Sequence, residues 1–134
     1  MKKLTLSVLS LLLLGGTMAA QPDPGPATPE DLVIQVSPRT IVIGRDTDAG
    51  NVWLTIHAEI PYYTVESVGL VDAEGNEFEL SYTKDDNRGE LVAKFDYDQF
   101  KRLEPGEAIL TLSVLDEFGV EHVGSETITV MVKK

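Results

Sequence analysis

The sequence predicts an all-β fold: a single β-sandwich of seven to eight strands with one short helical turn. From Leu32 onward, short runs rich in β-branched residues alternate with glycine, asparagine and aspartate at intervals of roughly 8 to 12 residues, which is the spacing typical of a sandwich. The 134 residues include no cysteine, so burial of apolar side chains has to stabilise the fold without disulfides. A chain of this length supports one core.

The N-terminal segment has the pattern of a secretory signal peptide over residues 1–20. Lys2 and Lys3 precede an apolar run over residues 4–14, and small residues follow over residues 15–20. The apolar run is too short to cross a bilayer as a helix. We therefore expect an exported protein, periplasmic or extracellular, that is not embedded in a membrane.

A proline-rich linker or tail follows over residues 21–31, and the predicted sandwich domain occupies residues 32–134. Four of the seven prolines fall in the linker, which has almost no apolar side chains to bury. The formal net charge of the chain is −11, and it becomes −13 when Lys2 and Lys3 leave with the signal peptide. Nucleic acid and anionic membranes are poor partners for such a surface, so we expect an unknown protein or a cell-envelope component as partner.

The first strand of the domain is predicted to switch between the two sheets. Apolar residues recur over residues 33–37 and again over residues 40–44, and Ser37 and Pro38 interrupt them. Proline cannot donate to a strand ladder, which favours a crossing at this point.

The strand over residues 52–60 has the clearest pattern in the chain. Its even positions are all apolar and share one face, whereas Trp53, Thr55 and His57 lie on the other face. This alternation predicts a half-buried strand with its apolar face toward the core.

The remaining elements are two hairpins, a strand and a helical segment. Residues 65–71 and 77–83 predict the first hairpin, whose second strand presents Phe78, Leu80 and Tyr82 on one face. The others are a strand over residues 90–96, one or two helical turns over residues 96–103, and a final hairpin of residues 108–115 with residues 125–132.

The closing segment resembles the last two strands of bacterial immunoglobulin-like repeats. It comprises residues 103–116, which contain Pro105 and Gly106, then Gly119 and the threonine-isoleucine-threonine-valine run at residues 127–130. In that family a proline or glycine turn precedes a strand of alternating threonines, and an aspartate-glycine loop follows. The resemblance implies an immunoglobulin-like or fibronectin-III-like accessory domain without catalytic residues. The 134 residues contain no second repeat, so we expect partner binding and not a role as a spacer.

Two acidic loops are candidate calcium sites. Asp46, Asp48 and Asn51 place oxygen ligands in a glycine-containing loop, as calcium sites often do. An EF-hand loop requires a further acid where His57 stands, so the remaining ligands would come from elsewhere in the fold. The alternative is that these are turn residues, because aspartate and asparagine tolerate tight turns. The second candidate comprises Asp85, Asp86, Asn87 and Glu90.

An aromatic patch is the candidate binding surface. Trp53, Thr55 and His57 share a strand face, and with Tyr62 or Tyr63 nearby they predict a flat surface for a sugar ring or a peptide. The alternative is that Trp53 is covered by the second edge of the sandwich or by the helical turn.

The sequence has no catalytic or nucleotide-binding motif. His57 and His122 are too few for a three-histidine zinc site, and neither a Gly-x-Ser-x-Gly elbow nor a glycine-rich phosphate loop occurs. We therefore expect a non-catalytic module that acts by protein–protein contact or as a structural or adhesion element, with calcium as the one cofactor considered. The alternatives are a calcium-stabilised adhesion or carbohydrate-binding module and a small secreted hydrolase or inhibitor.

Overall fold

The computed structural model describes residues 29–44 and 52–133, which contain ten β-strands and two short 3-10 segments. The strands are β1 (Glu30–Asp31), β2 (Ile34–Ser37), β3 (Thr40–Ile43), β4 (Trp53–Pro61), β5 (Val65–Asp72), β6 (Glu77–Phe78), β7 (Leu80–Asp85), β8 (Glu90–Asp96), β9 (Gly106–Asp116) and β10 (Glu121–Val132). The 3-10 segments are Tyr62–Thr64 and Tyr97–Arg102. None of these described elements is a helix long and apolar enough to span a membrane.

The strands form two sheets. The six-stranded sheet has the order β1-β10-β9-β5-β6, with β3 also paired to β10, and the four-stranded sheet has the order β2-β4-β8-β7. Pairs within both sheets are antiparallel, except that β1 and β3 run parallel to β10. The result is an all-β, sandwich-like domain whose strand order is compatible with an immunoglobulin-like fold.

The N-terminal part of the domain switches sheets at the predicted position. Before Pro38, β2 pairs with β4 of the four-stranded sheet, and after it β3 pairs with β10 of the six-stranded sheet. Glu30 and Asp31, the last two residues of the predicted linker, pair with β10 as well. The predicted signal peptide and residues 21–28 of the predicted linker lie outside the described residues.

One apolar core lies between the sheets because alternate residues of each strand point inward. Burial of each such aliphatic side chain contributes roughly 1.5–3 kcal/mol to the free energy of unfolding. In β4, β8, β9 and β10, the side chains that are at most 1% exposed are Leu54, Ile56, Ala58, Leu91, Ala93, Phe95, Leu110, Leu112, Val114 and Ile128.

The predicted helical turn is the 3-10 helix Tyr97–Arg102, which connects the two sheets at one end of the core. Its first turn is capped by Asp96, whose carboxylate accepts a hydrogen bond from the backbone N–H of Asp98 at 3.1 Å. Tyr97 and Phe100 are both fully buried, and the Tyr97 hydroxyl accepts a hydrogen bond from Val42 N at 3.1 Å. The helix therefore closes the core and holds β3 in place.

Three features differ from the sequence prediction. The strand count is ten, not seven or eight, because β1 forms inside the predicted linker, Pro38 separates β2 from β3, and the predicted strand over residues 77–83 is divided into β6 and β7. Only β6 pairs with β5, whereas β7 crosses to the four-stranded sheet and pairs with β8. In addition, β10 begins at Glu121 and not at residue 125, so the final hairpin is longer than predicted, and Gly124 lies opposite Leu112.

Three hairpin turns share one sequence pattern, Asp-x-x-Gly, which begins at Asp72, Asp86 and Asp116. In each turn the glycine N–H donates to the aspartate carbonyl at 3.0–3.1 Å, and the aspartate N–H donates to the carbonyl four residues on. One carboxylate oxygen accepts backbone N–H bonds from the second and fourth following residues. The three glycines have φ between 82° and 87°, a conformation that a side chain disfavours.

These hydrogen bonds favour the ionised form of each carboxyl and lower its pKa below the ordinary aspartate value. The amide of Asn76 has the largest effect on the pKa of Asp72, and the backbone N–H of Glu90 has the largest effect on the pKa of Asp86. His122 has the largest effect on the pKa of Asp116. Burial opposes the lowering at all three positions.

The lowered pKa values predict a loss of stability in acid. A carboxyl whose pKa is lower in the folded than in the unfolded protein stabilises fully above the unfolded value near 3.8, and this stabilisation disappears as the pH falls through the folded pKa. We expect Asp72→Asn to lower the melting temperature at pH 7, and the difference from the wild type to shrink between pH 4 and pH 2. Thermal melts across this range test it.

Glu74→Gln is the matched control for Asp72→Asn because it removes an exposed carboxylate from the same turn. We expect it to change the melting temperature little at any pH. A difference between Asp72→Asn and the wild type that stays constant down to pH 2 would contradict the role given to the Asp72 charge.

Candidate functional site

The structure places Trp53, Thr55 and His57 on the outer face of β4, opposite buried Leu54 and Ile56. The Lys94 ammonium on neighbouring β8 donates to the Thr55 hydroxyl at 2.9 Å, and these two residues are direct cross-strand partners. His57 Nδ1 lies 3.9 Å from a carboxylate oxygen of Asp86 in the turn between β7 and β8.

Trp53 is partly covered, and the covering residue is Tyr82 from β7. The two rings meet edge to face with 5.5 Å between centroids and an interplanar angle of 86°. Phe100 instead stacks on Phe78 at 4.5 Å and meets Phe95 edge to face at 6.3 Å. The ring contact of Trp53 is therefore with Tyr82 of β7 and not with Phe100 of the helical turn.

The sequence did not identify Tyr82 as the neighbour of Trp53, because the alternation of residues predicts that Tyr82 shares a face with Phe78 and Leu80. A register shift between Leu80 and Tyr82 in the pairing with β8 changes this arrangement. Leu80 lies opposite buried Phe95, whereas Tyr82 lies opposite Lys94 on the outer face and is 42% exposed.

Tyr62 and Tyr63 lie at the far end of β4 from Trp53. The eight residue steps from Trp53 to Pro61 correspond to about 26 Å at ~3.3 Å per residue, so the structure does not bring the predicted patch together. Tyr62 packs against the core, and its N–H donates to the Gly89 carbonyl at 2.8 Å. Tyr63 is 81% exposed.

Three connections meet where Tyr63 lies, and we name them together the loop apex: residues 62–64, 86–89 and 116–120. Glu117 N donates to the Thr64 carbonyl at 2.8 Å, and the Thr64 hydroxyl donates to the Pro61 carbonyl at 2.8 Å. The bond from Glu117 to Thr64 joins residues 62–64 to the turn at residues 116–120. The bond from Tyr62 to Gly89 joins them to the turn at residues 86–89. The loop apex is thus internally braced.

Phe118 is the second exposed aromatic side chain of the loop apex, after Tyr63, and it is 78% exposed. Tyr63 and Phe118 are the two most exposed large apolar side chains among the described residues. Sequence analysis did not single out Phe118, although a phenylalanine inside a four-residue Asp-x-x-Gly turn has no core within reach. That placement is the signal that could have identified it.

Asp116 fixes the backbone that carries Phe118. Its carboxylate accepts hydrogen bonds from Phe118 N at 2.8 Å and Val120 N at 2.9 Å, while His122 Nε2 donates to its other oxygen at 2.9 Å. The His122 Nδ1 atom faces the Glu30 carboxylate at 3.7 Å. Phe118 is therefore presented on a hairpin whose conformation is set by charge-assisted hydrogen bonds.

The surroundings of the loop apex are acidic. Glu66, Glu117 and Glu121 are exposed on the adjoining strands and turn. Arg88 is the base of this region, and its guanidinium donates to the Glu90 carboxylate at 3.1 Å. A partner that meets Tyr63 and Phe118 consequently meets a negative field.

The predicted calcium ligands Asp46, Asp48 and Asn51 lie outside the described residues. In the second candidate loop, one oxygen of Asp86 already accepts two backbone N–H bonds, and Glu90 is paired with Arg88. Over residues 29–44 and 52–133, no three histidine or acidic side chains lie close enough together to hold a metal ion.

Comparison with known proteins does not assign this chain to a family. No protein-family model matches the chain, and no curated protein matches it either. The function therefore has to be argued from the surfaces described above.

Proposed function

We propose that this protein is an exported, non-catalytic immunoglobulin-like module that binds a protein partner through the loop apex. The observation that carries the proposal is the exposure of Tyr63 and Phe118, 81% and 78%, on two connections joined by a hydrogen bond. The signal-peptide pattern over residues 1–20 supports export, and the order of the strands supports the immunoglobulin-like assignment.

Large aromatic side chains contribute most of the binding energy in many protein interfaces. Each ring offers about 150–250 Å² of surface to bury, which at roughly 25 cal/mol per Å² amounts to several kcal/mol per ring. The bracing of the loop apex reduces the conformational entropy that binding would cost, because the backbone is already ordered. Tyr63 and Phe118 thus have the properties of interface anchors.

The electrostatics favour a partner with basic side chains around an apolar centre. Glu66, Glu117 and Glu121 are exposed on the strands and turn that adjoin Tyr63 and Phe118, and opposite charges on the partner accelerate association and fix its orientation. We expect binding to weaken as the salt concentration rises, since exposed charge pairs are screened.

The pair of His122 and Asp116 supports a structural role for this histidine, not hydrolysis. The second ring nitrogen of His122 faces Glu30 at 3.7 Å and not a serine or threonine hydroxyl. A general base beside a nucleophile would need that hydrogen bond. The pair instead orients the turn that carries Phe118.

Replacing both anchors tests the proposal. We expect Tyr63→Ser/Phe118→Ser to reduce capture of the partner from the exported and envelope proteins of the producing cell at least tenfold, since each anchor contributes on the order of 2 kcal/mol. Quantitative mass spectrometry measures how much partner is retained on the immobilised wild type and on the immobilised variant.

Ile109→Ser/Met131→Ser is the matched control, because both residues are about half exposed, at 46% and 52%, on the six-stranded sheet away from the loop apex. We expect this variant to retain the partner. Equal loss of the partner with both double variants, or full retention by Tyr63→Ser/Phe118→Ser, would refute docking at the loop apex.

A further inference from the structure

The outer face of the four-stranded sheet is a second surface with different chemistry. Two rows of cross-strand partners form its centre, and every exposed polar side chain in them can donate a hydrogen bond. The first row is Ser37, Thr55, Lys94 and Tyr82, and the second is Gln35, His57, Val92 and Lys84. Neither row contains an acid.

The two lysines of this face have no carboxylate partner among the described residues. Lys94 donates to the neutral hydroxyl of Thr55 at 2.9 Å, and Lys84 is exposed. Three other described bases are paired with acids, Arg39 with Glu126, Arg88 with Glu90 and Lys101 with Asp98, whereas Arg102 donates to the backbone carbonyl of Glu77 at 2.8 Å. In a chain with 11 bases and 22 acids, two adjacent uncompensated lysines mark a surface suited to a negative ligand.

Trp53 and Tyr82, the two aromatic residues of this face, lie beside the two lysines. Tyr82 precedes Lys84 by two residues on the same strand face, and Trp53 precedes Thr55 in the same way. Aromatic rings with a polar edge suit the apolar faces of sugar rings, while hydroxyl and amide donors suit sugar hydroxyls. Val92, which lies between His57 and Lys84 in the second row, is only 2% exposed because neighbouring side chains cover it.

Acids limit the surface at both ends. Asp96 lies opposite Trp53, and Glu59 and Asp86 lie beyond the second row. A negative ligand is therefore confined to the two central rows, which cross all four strands. With strands about 4.8 Å apart, these rows are about 14 Å long and suit several sugar units of a chain, not one small molecule.

We infer that the outer face of the four-stranded sheet binds a carboxylate-bearing polysaccharide, with Lys84 and Lys94 on its carboxylates and Trp53 and Tyr82 against its sugar rings. This inference does not rest on the loop apex, which lies at the other end of β4 from Trp53. The two surfaces would allow the module to hold a basic protein and an acidic glycan at once.

The single tryptophan of the chain is Trp53, so its fluorescence reports on this surface alone. We expect polygalacturonate to shift the emission of the full-length protein saturably, and the fully methyl-esterified polymer, which lacks the charge, to shift it at least tenfold less at equal concentration. The same titration with the esterified polymer thus tests the need for carboxylates.

Variants test which residues supply the charge. We expect Lys84→Gln/Lys94→Gln to weaken polygalacturonate binding at least tenfold and Lys133→Gln, which removes a positive charge beyond the end of β10, to weaken it less than twofold. Unchanged melting temperatures would exclude unfolding as the cause. No shift with polygalacturonate, an equal shift with the esterified polymer, or equal weakening by both variants would overturn the inference.

Discussion

Replacing Phe100 by alanine should lower the free energy of unfolding by about 3–5 kcal/mol. Phe100 is fully buried, stacked on Phe78 and edge to face with Phe95, so its removal leaves a cavity at the end of the core. Because domains of this size are stable by only about 5–15 kcal/mol, the variant should be marginally folded at 37 °C. Urea denaturation followed by tryptophan fluorescence measures the loss.

Phe118→Ala is the matched control, because it makes the same chemical change at a residue that is 78% exposed. We expect it to change the free energy of unfolding by no more than about 0.5 kcal/mol. The comparison of the two substitutions thereby shows which phenylalanine contributes to the free energy of unfolding and which does not. Equal destabilisation by both would contradict the burial of Phe100 and weaken the assignment of Phe118 to binding.

Substitution of Gly124 by alanine should have the second largest effect. Gly124 is buried in β10, and an added Cβ would overlap the backbone carbonyl oxygen of Leu32 and lie 3.0 Å from Ile34 Cγ2. The Leu32 N–H also donates to the Val123 carbonyl at 3.0 Å, so the segment cannot withdraw without losing this bond. We expect a loss of about 1–3 kcal/mol or more, with faster hydrogen exchange at Leu32 and Ile34.

Gly69→Ala provides the comparison for Gly124→Ala. Gly69 lies in β5 of the same sheet, and an added Cβ there would meet nothing within 4 Å. We expect a change of less than about 1 kcal/mol, of either sign. Comparable losses at the two positions would indicate that glycine matters for backbone flexibility and not for the close approach of Leu32.

The strand faces were predictable where the period of two is uninterrupted. In β4 the even residues are buried and Trp53, Thr55 and His57 lie on the outer face, as predicted. A half-buried strand alternates apolar and polar residues, so its two faces can be read from the sequence. The break at Pro38 was predictable because proline cannot donate a hydrogen bond to a neighbouring strand. The crossing of the chain from β6 to β7 was not, since the apolar alternation continues from Phe78 to Tyr82 across it.

The candidate site was less predictable than the fold because it joins residues far apart in the chain. Tyr63 and Phe118 are 55 positions apart, and a hydrogen bond between Glu117 and Thr64 brings their connections together. Proximity in sequence favoured a patch of Tyr63 with Trp53, but the length of β4 separates them. The repeated Asp-x-x-Gly pattern was present in the sequence and would have defined the turn that carries Phe118.

Site-specific photo-crosslinking tests docking at the loop apex most directly. A benzophenone amino acid at position 63 or 118, with position 109 of the six-stranded sheet as the control, reports which surface touches the partner in the mixture of exported and envelope proteins. The account predicts that positions 63 and 118 crosslink to the same protein and that position 109 does not. Crosslinks from position 109 alone, or from none of the three, would contradict it.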